Sequence, residues 1–113
     1  MIDKLTVDKP WGAFVRYTHN QKSTVKLLEV KPNSKLSLQY HHKRDEHWTV
    51  LRGNPLIVVD GKTYKAEPGM EFFIPKKKDH RIMTEDSHAT IMEISFGEFD
   101  EEDIVRLEDS YDR

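Results

Sequence analysis

Proline and glycine interrupt this chain at nearly even intervals. The breaks are Lys9-Pro10-Trp11-Gly12, Lys31-Pro32-Asn33, Arg52-Gly53-Asn54-Pro55, Asp60-Gly61, Glu67-Pro68-Gly69 and Pro75. They fall about 8–12 residues apart, the rhythm of short strands in an all-β sandwich or barrel. Between them lie runs rich in β-branched and aromatic residues. The expected strands are Gly12–Thr18, Thr24–Lys31, Leu36–His41, Glu46–Arg52, Leu56–Asp60, Lys62–Ala66, Glu71–Ile74, His80–Thr84 and Ala89–Phe96. Asp60-Gly61 sits between two of these and predicts a two-residue hairpin, because glycine accepts the positive φ of a primed turn. Pro68-Gly69 predicts a type II turn for the same reason.

The C-terminal end reads differently. Asp100-Glu101-Glu102-Asp103 precedes Ile104, Val105 and Leu107. Acidic residues in a first turn meet the positive end of a helix dipole. A short helix is therefore expected at about Glu101–Glu108. The coarse expectation is one domain over residues 1–113, a mostly antiparallel barrel with a terminal helix.

Composition removes several classes of function. With 113 residues there is room for one core and no second catalytic domain. Eighteen basic against 20 acidic side chains give a net charge of -2. That balance argues against a nucleic-acid or anionic-membrane partner. Cysteine is absent, so a disulfide scaffold, a thiolate metal site and a cysteine nucleophile are excluded. The longest apolar runs are far too short to span a bilayer. Met1 to Pro10 lacks the apolar core of a signal peptide, and a cytoplasmic location is expected.

The chemistry concentrates in Gln39-Tyr40-His41-His42-Lys43-Arg44-Asp45-Glu46-His47-Trp48. Gln39 and His41 share a strand face. Glu46 opens the next strand and faces His41 across what reads as a hairpin. His80 opens a later strand. Gln39, His41, Glu46 and His80 thus converge inside a barrel as an amide, two imidazoles and a carboxylate. Such donors suit Zn, Fe, Mn, Co or Ni. A His-His pair alone is weak evidence, and His19, His47 and His88 read as surface or supporting groups. Trp48 shares the face of Glu46 and is expected to pack inside. Trp11 reads as an N-terminal anchor.

Asn33…Gln39-Tyr40-His41…Glu46…Gly53 resembles the first cupin motif, and Gly69…Pro75…His80 resembles the second. Further residues narrow the match. Lys9-Pro10-Trp11-Gly12, Leu36-Ser37-Leu38-Gln39-Tyr40-His41-His42, Arg44, Glu46-His47-Trp48, Ile74-Pro75…His80-Arg81, Glu93-Ile94, Asp103-Ile104-Val105-Arg106 and Asp109…Tyr111…Arg113 run in one order. Together they resemble the C-terminal cupin domain of type II phosphomannose isomerases, the bifunctional isomerase/mannose-1-phosphate guanylyltransferases. The resemblance implies a jelly-roll barrel, or double-stranded β-helix. It also implies a divalent metal on Gln39, His41, Glu46 and His80, and a homodimer joined through N-terminal strands. No glycine-rich nucleotide loop is present, so guanylyltransferase activity is not implied. Asn33 replaces a turn glycine, which asparagine tolerates best among other residues. Lys77 and Asp112 also replace glycines, and Thr84 an asparagine.

The implied reaction interconverts mannose 6-phosphate and fructose 6-phosphate. It moves a proton between C1 and C2 through an enediolate, and needs a Lewis acid, a base and cations for the phosphate. Arg44 and Arg81 are expected to bind phosphate or an enediolate oxygen, and Glu46 to serve at the metal. Lys76-Lys77-Lys78 reads as a solvated loop or an anion lure. His42, His47 and Glu93 are open alternatives for the base. Two other functions stay beside this one. One is a non-catalytic module binding sugar phosphate or nucleotide sugar. The other is a different metal reaction, such as dioxygen chemistry or epimerisation.

Overall fold

A computed structural model describes residues 4–109. Tyr111, Asp112 and Arg113 lie outside the described residues. The described residues form eleven strands: β1 Leu5–Lys9, β2 Gly12–Arg16, β3 Ser23–Val30, β4 Leu38–Tyr40, β5 Glu46–Arg52, β6 Leu56–Val59, β7 Lys62–Lys65, β8 Glu71–Ile74, β9 His80–Met83, β10 Ala89–Phe96 and β11 Val105–Glu108. One sheet has the order β3-β10-β5-β8 and another β11-β4-β9-β6-β7. β1 and β2 form a separate hairpin. Every pairing is antiparallel. The fold is an all-β cupin jelly roll whose two sheets face each other without closing into a continuous barrel. No helix of the described residues is long and apolar enough to cross a membrane.

The core lies between the sheets. Trp48 and Val50 from β5, Ile74 from β8 and Ile91 from β10 meet Ile57 from β6 and Ile82 from β9. Each is almost wholly buried, and burial of a side chain of this size contributes roughly 1.5–3 kcal/mol. The turns follow their residues. Asp60 and Gly61 both have positive φ, at 50° and 77°, and join β6 to β7 as the hairpin expected. Asn33 also takes positive φ, at 54°.

Three expectations change. The helix at Glu101–Glu108 is instead one turn followed by a strand. Asp103 N–H donates to the Asp100 carbonyl and Glu102 N–H to the Asp100 carboxylate. The acidic run thus supplies one capped turn, after which β11 pairs with the free edge of β4. Ladder bonds to β4, with β-branched Val105 leading, outweigh continuation of a helix with no packing surface. Second, β4 and β5 are not hairpin partners. They belong to different sheets, so residues 41–45 form a corner between the layers. Third, Trp11 is not packed into this chain's own core: it stands 73% exposed at the turn of the β1–β2 hairpin.

Candidate metal centre

The corner at residues 41–45 is what assembles the site. His41 leaves the end of β4 in one sheet, and Glu46 starts β5 in the other. His80 begins β9, directly opposite Gln39 on β4. The ligating atoms of His41, Glu46 and His80 lie within 4.8 Å of one another, and all three residues are buried. His41 Nε2 is 3.5 Å from Glu46 Oε2, and His80 Nε2 is 3.8 Å from Glu46 Oε1. Donors on a tetrahedral ion with bonds of about 2.1 Å stand roughly 3.4 Å apart, close to these separations.

Both imidazoles are fixed by their other nitrogen. His41 Nδ1 donates to the Asp103 carbonyl at 2.6 Å, and His80 Nδ1 to the Lys78 carbonyl at 3.0 Å. A carbonyl only accepts, so each ring carries its proton on Nδ1 and offers the Nε2 lone pair. His80 Nε2 is buried with no hydrogen-bond partner, and such an atom is costly unless something binds it. Burial lowers the pKa of both histidines below 6.5, against the pull of the Asp103 and Lys78 carbonyls and of Glu46. Two neutral imidazoles and a carboxylate around an orphaned nitrogen fit a divalent cation.

Glu46 is held on several sides. Arg44 Nε donates to Oε2 at 2.9 Å and Trp48 Nε1 to Oε1 at 3.2 Å. The Trp48 ring also meets His80 edge-on at 5.3 Å. Trp48 therefore packs inside, as its strand parity requires. Arg44 Nη2 lies 3.3 Å from His41 Nε2, and Nη1 donates to the Asp100 carbonyl at 3.1 Å.

A cavity of about 310 Å³ adjoins this cluster, with Lys26, Gln39, Arg44, Glu93, Phe99 and Arg106 in its lining. Arg44 belongs to both cavity and cluster. Gln39 lines the cavity with its Oε1 accepting from Ser37 Oγ at 2.7 Å. One lone pair of that oxygen remains for a ligand role. Glu93 is on β10, an interior strand, and is buried. Burial, together with the charge of Glu46, pushes its carboxyl up to about 7.

Arg81 is not brought to the triad. Its Nε donates to the Leu36 carbonyl and its Nη1 to Glu108, as expected of the residue after His80 on a strand whose faces alternate. His47, read as a surface or supporting group, is buried and bonds Glu71 at 3.1 Å. His42 is exposed against Tyr40. Three contributors escaped the sequence reading: Lys26, Phe99 and Asp103's carbonyl. Only Lys26 leaves a signal. It holds an inward position on β3, while Val25 and Leu27 on the same strand are exposed.

Residues 2–109 match the family described as Mannose-6-phosphate isomerase C-terminal. The chain belongs to that family. It is 37% identical over 109 residues to the alginate biosynthesis protein AlgA of Pseudomonas aeruginosa, covering 95% of this chain and 23% of that protein. A mannose-1-phosphate guanylyltransferase of Klebsiella pneumoniae is 32% identical over 107 residues, with 93% and 23% covered. The chain thus spans about a quarter of the length of these curated relatives. A sugar phosphate isomerase of the cupin superfamily from Silicibacter pomeroyi superposes with a TM-score of 0.62 and 26% identity, over 70% of this chain and 52% of that one. The capsular polysaccharide assembling protein CapF of Staphylococcus aureus shares the fold, with a TM-score of 0.70 and 19% identity over 93% and 34% of the two chains.

Proposed function

We propose that this domain is a metal-dependent isomerase interconverting mannose 6-phosphate and fructose 6-phosphate. The observation that carries the reading is the buried His41/Glu46/His80 set, with His80 Nε2 unpartnered, against a cavity that Arg44 and Glu93 line. Family membership supports the substrate class.

His41, Glu46 and His80 would hold the ion, with Gln39 as a fourth donor. The ion, when bound, supplies Lewis acidity toward the C1 and C2 oxygens of the sugar. Arg44 orients Glu46 and presents the rest of its guanidinium to an oxyanion. Glu93 is the buried cavity carboxylate not assigned to the ion, and in this reading it carries the proton between C1 and C2. Arg81 ties β9 to the Leu36 carbonyl and to Glu108 of β11 and is not assigned to the substrate. A cavity of this volume lies at the small end of the range for compact ligands.

The test is a coupled assay of mannose 6-phosphate isomerisation after metal stripping, with each divalent ion then restored. Ion-dependent turnover that disappears in His41→Ala is the expected result. No turnover with any divalent ion overturns the reading. The second reading, a binding module without catalysis, is favoured by one observation: Lys77, where the second cupin motif has a glycine, stands at a φ of 69°. Sugar-phosphate binding without turnover would select it. A homodimer and a cytoplasmic location belong to the same proposal. The exposed Leu5, Trp11, Phe14 and Val15 of the β1–β2 hairpin support the dimer, which sedimentation of the full chain checks.

A further inference from the structure

We propose that Lys26 and Arg106 form a phosphate subsite in the lining of this cavity, built for the monoester of a phosphorylated sugar. The position of Lys26 is the starting observation. β3 turns Val25 and Leu27 outward, where they are 56% and 60% exposed, and turns Lys26 inward. The inward face of β3 also carries Leu28 and Val30 into the core, yet at this position it places an ammonium in the cavity wall. Taking an ammonium from water is unfavourable unless it finds a partner.

That ammonium forms no ion pair with a carboxylate among the described residues. It rests on the face of Phe99, 4.2 Å from the ring centroid, where the ring quadrupole favours a cation. The Arg44 guanidinium lies 4.4 Å from the same centroid. One ring therefore steadies two cations on the cavity lining. Arg44 is bonded to Glu46, whereas the Lys26 ammonium lies within ion-pair distance of no carboxylate among the described residues.

Arg106 comes from the other sheet. It lies opposite Gln39 in the β4–β11 pairing and lines the same cavity. Its only ion-pair neighbour among the described residues is Asp109, at 3.9 Å from Nε. Glu93 and Glu101 also line the cavity; Glu93 stands opposite Lys26 in the β3–β10 ladder and feels its charge, without a direct ion-pair contact to it. Lys26 and Arg106 thus bracket the cavity from opposite layers. A phosphate dianion matches two such cations, one a point charge and one a planar fork.

The assignment of the sugar rests on the isomerase reading, whereas the assignment of an anion subsite does not. Calorimetric titration of the full chain with mannose 6-phosphate, with mannose and with inorganic phosphate tests it. The expected result is that Lys26→Gln and Arg106→Gln each weaken mannose 6-phosphate binding by about tenfold or more, the value of a charge-assisted hydrogen bond. Mannose binding should not change, and Lys26→Arg should stay within about threefold of the unmodified chain. The affinity for mannose 6-phosphate should also fall with added salt.

Unaltered binding in both glutamine variants overturns the subsite, as does equal affinity of the unmodified chain for mannose and mannose 6-phosphate. Failure to bind any phosphorylated sugar overturns it as well. Binding that depends on Lys26 and Arg106 but never leads to turnover removes the isomerase reading and leaves the subsite standing. Turnover with unaltered affinity in both variants does the reverse.

Discussion

The Asp103 carbonyl accepts the Nδ1 proton of His41 at 2.6 Å, across 62 residues of sequence. The same Asp103 takes the N–H groups of His42 and Lys43 on its carboxylate, at 2.9 and 3.0 Å. One residue of the β10–β11 connection therefore fixes both the backbone of the corner and the tautomer of a ligand. Asp103→Ala releases the two backbone contacts and lets the carbonyl drift. It is expected to lower metal affinity about tenfold with the fold retained. Competition against a chromogenic chelator measures this, and an unchanged affinity would show that the carbonyl is held without the carboxylate.

Protons compete with a metal for both Nε2 atoms. The pKa of His41 and of His80 lies below 6.5 in the folded protein because both are buried. A free imidazole would start to lose metal as pH falls through 6.5, whereas these two remain neutral there. Metal affinity is expected to hold from pH 8 down to 6.5 and to weaken only at lower pH. A chelator competition series across that range checks it. A tenfold loss between pH 7.5 and 6.5 would contradict the picture.

Glu93 carries the opposite linkage. Its carboxyl is raised from 4.5 to about 7 by burial and by Glu46. Between those values the folded chain binds more protons than the unfolded chain, so stability falls as pH rises through the window. Above pH 7 the cost is complete, at about 3 kcal/mol for the metal-free protein. Glu93→Gln does not titrate. Its stability relative to the unmodified chain should rise from pH 4.5 to 7 and then level off, as urea denaturation would show. The same variant should lower kcat roughly a hundredfold or more if Glu93 carries the proton.

Lys77 adopts φ of 69° and donates its N–H to the His41 carbonyl at 2.6 Å. A lysine in the left-handed region costs roughly 1 kcal/mol that glycine does not. Glycine also loses more freedom on folding, which offsets part of the gain. Lys77→Gly is expected to stabilise the protein by about 0.5 kcal/mol. A lower thermal midpoint in this variant would rule out strain at that position.

Gly53 is the opposite case. Its φ is 85°, and a Cβ there would stand 2.3 Å from the His88 carbonyl oxygen and 2.9 Å from Ala89 Cα. Both obstacles are backbone, so neither can swing aside. Gly53→Ala is expected to destabilise the chain by about 2–4 kcal/mol. Chemical denaturation reads this directly, and a loss under 1 kcal/mol would mean that the β5–β10 end has moved.

Most strands were legible because alternation and turn residues are local signals. Asp60-Gly61 specifies its hairpin without reference to the rest of the chain. β11 was not legible, since an acidic turn looks the same whether a helix or a strand follows. Which one wins depended on the free edge of β4, more than 60 positions away. That His41, Glu46 and His80 come together was readable from the family motif and the shared face of the strands. The supporting contacts were not: Phe99 follows Glu98 in a loop, and nothing in its neighbours announces that Lys26 and Arg44 will stack on it. Glu93 looked like a strand carboxylate facing a lysine. In the structure it does sit opposite Lys26, but on an interior strand, where burial changes its chemistry.

The segment between β10 and β11 has one more effect. Its carbonyls hold Arg44 and His41, and its phenylalanine covers two cations at the cavity. The triad beneath it is at most 2% exposed. An ion held there would exchange through the adjoining cavity by displacement of Arg44, which lines that cavity and bonds Glu46. Exchange is then paced by a conformational opening rather than by diffusion. Once loaded, the domain would keep its ion through a brief scarcity of metal, and the ion present during folding would have a lasting advantage over one that arrives later.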